Sequence, residues 1–134
     1  MEKKYIDKIA LIDIKGRAFL GALSIGKDTW YVPGGKREAG ENDEQTLIRE
    51  IKEELTINII PRSLQLFGIY EAQAHGKPEG TLVRNTCYLA KYRGRPQPSN
   101  EIAKIGYFTS KDRESFSEVN QIMIADLVAK GFID

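Results

Sequence analysis

Residues 35–57 read Gly-Lys-Arg-Glu-Ala-Gly-Glu-Asn-Asp-Glu-Gln-Thr-Leu-Ile-Arg-Glu-Ile-Lys-Glu-Glu-Leu-Thr-Ile. Asn42 with Gln45 three residues on is a helix N-cap pattern, and from there to Leu55 no glycine or proline interrupts a run of good helix formers. At about 100° per residue, Leu47, Ile48, Ile51 and Leu55 share one face, which is expected in the core. Glu50, Glu53 and Glu54 stand at i, i+3 and i+4 and converge on another face, roughly 120° around from the apolar one. Like charges at that spacing each cost an isolated helix about 0.2–0.5 kcal/mol, and Arg49, four residues before Glu53, offsets only part of the repulsion. A cation is therefore expected there. A hard divalent ion such as Mg²⁺ suits a site made of carboxylates, retains waters and bridges to substrate phosphates. The same pattern also fits an ordinary solvated helix face, so the helix alone leaves both readings open.

Outward from this helix, Ile6–Ile14 and Ala18–Ile25 read as two strands parted by Gly16, and Trp30-Tyr31-Val32 as a third, stopped by a loop at Pro33-Gly34-Gly35. After Pro61, the stretches 64–74, 81–92 and 102–109 look extended, separated by turn-rich 75–78 and 94–98. Ser115 with Glu118 resembles a capping box, and Val119, Ile122, Met123 and Leu127 recur at helical spacing up to Gly131. The order strands, helix, strands, helix predicts a mixed α/β fold in one domain spanning 1–134.

The chain has 134 residues, 20 Lys+Arg against 19 Asp+Glu, and a formal net charge of +1. That balance supplies no basic field for nucleic acid. No apolar stretch approaches the roughly 18 residues of a membrane span, and the charged Met1-Glu2-Lys3-Lys4 is not a secretory leader. The single cysteine, Cys87, lies in an apolar run and reads as a small core residue in a reducing compartment. A cytoplasmic protein is expected.

The spacing Gly35, five residues, Glu41, seven residues, then Arg49-Glu50-Ile51-Lys52-Glu53-Glu54-Leu55-Thr56-Ile57 resembles the Nudix box, the signature of the Nudix hydrolase family. That box reads Gly, five of any residue, Glu, seven of any, then Arg-Glu-apolar-any-Glu-Glu-any-Gly-apolar. Every fixed position matches except the second glycine, where Thr56 stands. The resemblance implies an α/β/α sandwich with a mixed sheet between helices, and hydrolysis of a pyrophosphate bond in a nucleoside diphosphate derivative using Mg²⁺ or Mn²⁺. It further implies Glu50, Glu53 and Glu54 as metal ligands, with backbone carbonyls at Gly34 and Gly35 approaching the metal. Arg49 would orient a glutamate by a salt bridge, and Glu41 would support that network. Glu50, Glu53 and Arg49 would thus carry the catalysis. A β-branched residue tolerates positive φ badly, so Thr56 predicts a helix exit unlike the family's glycine exit.

Family members often place a further acid outside the box. Glu101, ahead of the aromatic-containing run to Phe108, is the leading candidate for water activation or a metal shell, with Glu71 and Glu79 as competitors. Arg84, Tyr70, Asn85 and Tyr107 are of types that contact phosphate or base, Arg84 and Tyr70 foremost. Trp30 and Tyr31 read as core, and His75 as a solvated turn residue that supports no catalytic triad. The expected partner is a nucleotide-derived small molecule, with neither nucleic acid nor membrane; self-association as a homodimer stays open. Small size favours a nucleoside triphosphate or modified nucleotide as substrate. The proline that the resemblance would lead one to seek for ADP-ribose, about fifteen residues past the box, is replaced by Glu71 and Ala72. A non-catalytic nucleotide-sensing module and an ADP-ribose or sugar-nucleotide pyrophosphatase are the alternatives.

Overall fold

Strand β1 (Lys4–Ile12) carries a near-continuous apolar run because both of its faces are covered. Ile9, Ala10, Leu11 and Ile12 are each at most 2% exposed. With period-2 alternation, Ile9 and Leu11 join one core cluster and Ala10 and Ile12 the other. The computed structural model describes residues 3–134; Met1 and Glu2, at the start of the expected domain, lie outside the described residues.

The other elements are β2 (Ile14–Lys15), β3 (Ala18–Ser24), β4 (Gly34–Lys36), α1 (Asp43–Leu55), β5 (Asn58–Ile59), β6 (Gln65–Gln73), β7 (Thr81–Leu89), β8 (Tyr92–Arg93), β9 (Ile102–Phe108) and α2 (Glu118–Ala129). A four-stranded mixed sheet runs β4-β1-β7-β6; β1 and β7 are parallel and the outer pairs antiparallel. Separate antiparallel ladders join β2-β3-β9 and β5-β8. Leu47, Ile51 and Leu55 of α1 pack in one cluster with Ile9 and Leu11. Val119, Met123, Ile124 and Leu127 of α2 pack in the other with Ala10, Ile12, Val83 and Cys87. The mixed sheet thus lies between two helices, an α/β fold. Truncating Ile51, which is fully buried, to alanine would cost about 2–5 kcal/mol and loosen the helix that carries the acids. No helix among the described residues is long and apolar enough to cross a membrane.

Three local expectations are corrected. Trp30–Val32 forms only isolated bridges, Ala22 with Tyr31 and Trp30 with Phe116, while the ladder strand is Gly34–Lys36, expected to be loop. Glycine makes that strand: Gly34 has φ +148°, and a Cβ there would come within 2.0 Å of the Ile9 carbonyl oxygen. The second helix starts after Ser117, which makes no side-chain cap bond, and not from a capping box at Ser115, because residues 110–115 form a 3₁₀ turn with its own capping box, Thr109 with Asp112. At the end of α1, Thr56 adopts φ 63°, ψ 17°, and its N–H donates to the Lys52 carbonyl. The helix therefore exits in the left-handed conformation that glycine would take, with the strain borne by a β-branched side chain.

Candidate active site

The N-cap of α1 forms as expected: Gln45 N donates to Asn42 Oδ1 at 2.8 Å and Asn42 N to Gln45 Oε1 at 3.0 Å. At the other end of the helix, two of its last carbonyls are taken by the loop before β9. Gln97 N donates to Leu55 O and Ser99 N to Glu54 O, both at 3.0 Å. Satisfying those orphan carbonyls is what draws residues 97–101 against the helix. Glu101 arrives with them.

Carboxylate oxygens of Glu50, Glu54 and Glu101 lie within 4.8 Å of one another. Glu53 is not among them. On a helix, residues four apart differ by about 40° and residues three apart by about 60° in the other sense. Glu54 consequently stays over Glu50, whereas Glu53 turns to the rim, 3.5 Å from Arg49 Nη1. Glu71 and Glu79 are exposed elsewhere, Glu71 on the Arg84 guanidinium at 2.9 Å.

Arg49 ties the network together. Its Nε and Nη2 donate to the two oxygens of Glu41 at 2.7 and 2.8 Å, and Nη1 donates to Glu50 Oε1 at 3.0 Å. A further bond from Nη2 reaches the Lys36 carbonyl. Glu41 also accepts from Glu38 N and Thr46 Oγ1, and the Arg49 pairing, first among these, holds its carboxyl down at about 2. This bidentate clamp fixes the guanidinium that orients Glu50.

Glu54 is 2% exposed and accepts from Gly34 N at 2.9 Å. Burial, reinforced by the charges of Glu50 and Glu101, pushes its carboxyl up to about 8. Burial likewise raises Glu50, against the pull of Arg49. Gly35 gives Glu50 its room: a Cβ there would stand 2.3 Å from the Glu50 carboxyl carbon. Three gathered carboxylates, two of them raised chiefly by burial, form an oxygen donor set that fits a hard divalent metal.

A cleft of about 570 Å³ opens on the α2 side of the sheet, beside this cluster. Lys8, Gly34, Tyr31, Asn85 and Asn120 line it, with Lys27, Lys36 and Lys77 among its basic groups. Lys8 lies under the Tyr31 ring at 6.0 Å from the centroid. Burial and the Lys36 charge lower its ammonium below the usual lysine range, while Glu54 and Glu50 act in the opposite sense. Tyr31, expected in the core, is a cleft wall whose hydroxyl bonds Ser24 Oγ. His75 is an exposed residue at the cleft, as a turn residue should be.

Two residues expected to bind substrate lie outside the cleft wall. Arg84 bonds Glu71, stacks on Tyr5 at 4.2 Å and lies on the other face of β7 from Asn85, away from the cleft. Tyr70 is buried at 8% exposure, with its hydroxyl 2.5 Å from Asp126 on α2, and is absent from the cleft wall. Tyr107 likewise is held by Asp13 at 2.6 Å. Among the cleft residues not singled out from sequence are Lys8, Lys36 and Asn120. Lys8 interrupts the apolar run of β1, and Asn120 sits among the apolar residues of α2 at 2% exposure; both breaks in pattern are visible signals.

The family description "NUDIX domain" matches residues 8–127, and the chain belongs to that family. Among curated relatives, it is 38% identical over 102 residues to the ADP-ribose pyrophosphatase of Methanocaldococcus jannaschii, covering 76% of this chain and 54% of that protein. The chain thus spans about half the length of that relative. It is 29% identical over 100 residues to the 8-oxo-dGTP diphosphatase of Escherichia coli, covering 71% of this chain and 70% of the relative. The crystal structure of the MutT NUDIX hydrolase from Burkholderia pseudomallei superposes with a TM-score of 0.76 at 20% identity, covering 92% of this chain and 98% of that one, a likeness of fold.

Proposed function

We propose that the protein is a hydrolase of acid anhydrides that cleaves a pyrophosphate bond in a nucleoside diphosphate derivative, a nucleoside triphosphate or modified nucleotide first, with Mg²⁺ or Mn²⁺. The observation that carries this reading is the gathering of Glu50, Glu54 and Glu101 beside a lysine-bearing cleft. Acid and base chemistry of opposite sign stand side by side there, as a phosphorylated, metal-chelating substrate requires.

Glu50, Glu54 and Glu101 would hold the cation, with Glu53 and the Gly34–Gly35 backbone at its margin. The cation, when bound, supplies charge neutralisation on the phosphoryl oxygens and a more acidic water. The chain's own part is positional. Arg49, clamped by Glu41, keeps Glu50 oriented, and Gly34 N keeps Glu54 in place. Lys8 offers an ammonium to the phosphates from the cleft floor. Glu101, the acid outside the box, would complete this oxygen set, and the base and sugar extend along the cleft. The same reading takes residues 1–134 as one domain working in the cytoplasm on a small molecule.

A second reading, ADP-ribose hydrolysis, is favoured by the 38% identity to a relative of that name. A screen of nucleoside triphosphates, oxidised nucleotides, ADP-ribose, sugar nucleotides and dinucleoside polyphosphates with Mg²⁺ and Mn²⁺ separates the two. A triphosphate as best substrate supports the first reading and ADP-ribose the second; no turnover of any of them contradicts both.

A further inference from the structure

Across the mixed sheet, Lys36, Lys8, Asn85 and Tyr70 are register partners on β4, β1, β7 and β6, a polar row laid through a largely apolar sheet face. Tyr70, at one end, spends its hydroxyl on Asp126. Asn120, across the cleft, is also satisfied: its Oδ1 accepts from Val32 N at 3.2 Å and its Nδ2 donates to Ser117 Oγ. Asn85 differs. It is 5% exposed, lines the cleft, and its Oδ1 is buried with no hydrogen-bond partner among the described residues.

A buried acceptor left without a donor destabilises the fold, and an apolar residue of similar size would remove the penalty. β7 is otherwise packed at this face by Val83 and Cys87, so an apolar residue would suit the position. Such a group is explained by a ligand that brings the missing N–H. The row also sets its place. Asn85 lies one strand beyond Lys8 and two beyond Lys36, so about 10 Å of sheet separates it from the edge strand beside the carboxylates. That span suits a nucleotide whose phosphates sit at the acids and whose base lies farther in.

We propose that Asn85 is a substrate-binding residue that selects base-bearing ligands over base-free ones: its side-chain oxygen accepts an N–H from the edge of the substrate's base. The inference rests on the nucleotide reading above and names the group that enforces it. An exocyclic amine of adenine or cytosine, or the ring N–H of a guanine-type or uracil base, meets the demand. A sugar phosphate without a base does not.

The test separates binding from turnover. Adenosine, cytidine, guanosine and uridine 5′-monophosphates and 8-oxo-dGMP are titrated calorimetrically, in chelator, into wild type and Asn85→Leu, with ribose 5-phosphate as the base-free probe. The account expects the tightest nucleotide to weaken by about tenfold in the variant, ribose 5-phosphate to bind both alike, and the variant to melt no lower than wild type. Unchanged nucleotide affinity, an equal loss for ribose 5-phosphate, a wild type that binds no nucleotide better than ribose 5-phosphate, or a clear fall in Tm would each overturn it. Failure of every pyrophosphate substrate to turn over would sink the hydrolase reading while leaving this binding comparison intact.

Discussion

The backbone N–H of Gly34 donates to Oε1 of Glu54 at 2.9 Å, so the strand added to the sheet edge is also what fixes the most buried acid of the site. Gly34 holds φ +148° with its Cα against β1, where a Cβ would strike Ile9 O at 2.0 Å. Gly34→Ala should therefore cost about 3 kcal/mol, from backbone strain and overpacking together, and shift Glu54 as well. Gly40→Ala, also at positive φ but with nothing within 4 Å, serves as the comparison and should cost about 1 kcal/mol. Chemical denaturation of both checks this; equal losses would mean that the close approach of Gly34 to β1 is unimportant.

Glu54 also makes stability depend on pH in a defined direction. Its carboxyl rises from 4.5 to about 8 on folding, with burial as the largest cause. Between those values the folded protein holds a proton that the unfolded chain has released, so the Glu54 contribution to stability is full below about pH 4.5 and declines until about pH 8. Thermal melts in chelator should show this decline, and Mg²⁺ should flatten it by taking the proton's place. A metal-free Tm that rises steadily from pH 5 to 8 would contradict the placement of Glu54.

Thr56→Gly should stabilise the protein. The left-handed φ of 63° strains a β-branched residue, and relief of about 1–3 kcal/mol exceeds the extra chain entropy of glycine, about 0.4–1 kcal/mol. A net gain of about 1 kcal/mol, read as a Tm increase of about 3–5 °C, is expected. A lower Tm would show that the threonine side chain supplies packing that outweighs its strain.

Arg49→Lys should lower kcat by about tenfold or more with little change in fold, because lysine keeps the charge but cannot bond Glu41 bidentately while reaching Glu50. Wild-type kinetics in this variant would make the clamp on Glu41 dispensable.

Much of this arrangement was legible in the chain. The capping pair Asn42 and Gln45, the apolar stripe from Leu47 to Leu55 and the acids at 50, 53 and 54 are local features, and local spacing determines them. Helical phase sets Glu54 over Glu50 and Glu53 to one side, but spacing could not show which of them meets a third acid. The choice is made by Gly34 N and by the loop that delivers Glu101, both distant in sequence. Arg84 and Tyr70 have chemistry that suits a nucleotide, but strand phase turns Arg84 away from the cleft and a helix contact consumes the Tyr70 hydroxyl, relationships that local spacing does not carry. Lys8 and Asn120 were visible as polar breaks in apolar runs, yet only the assembled sheet shows what they face.

The central claim, that Glu54 with Glu50 and Glu101 holds a divalent cation for pyrophosphate hydrolysis, is tested most directly by the Mg²⁺ dependence of nucleotide turnover in wild type, Glu54→Gln and the helix control Glu44→Gln. The account predicts no turnover in chelator, recovery with Mg²⁺ in wild type and Glu44→Gln, and a loss of at least about 100-fold in Glu54→Gln at every metal concentration. Turnover that survives chelator, or Glu54→Gln responding to Mg²⁺ as wild type does, would contradict it.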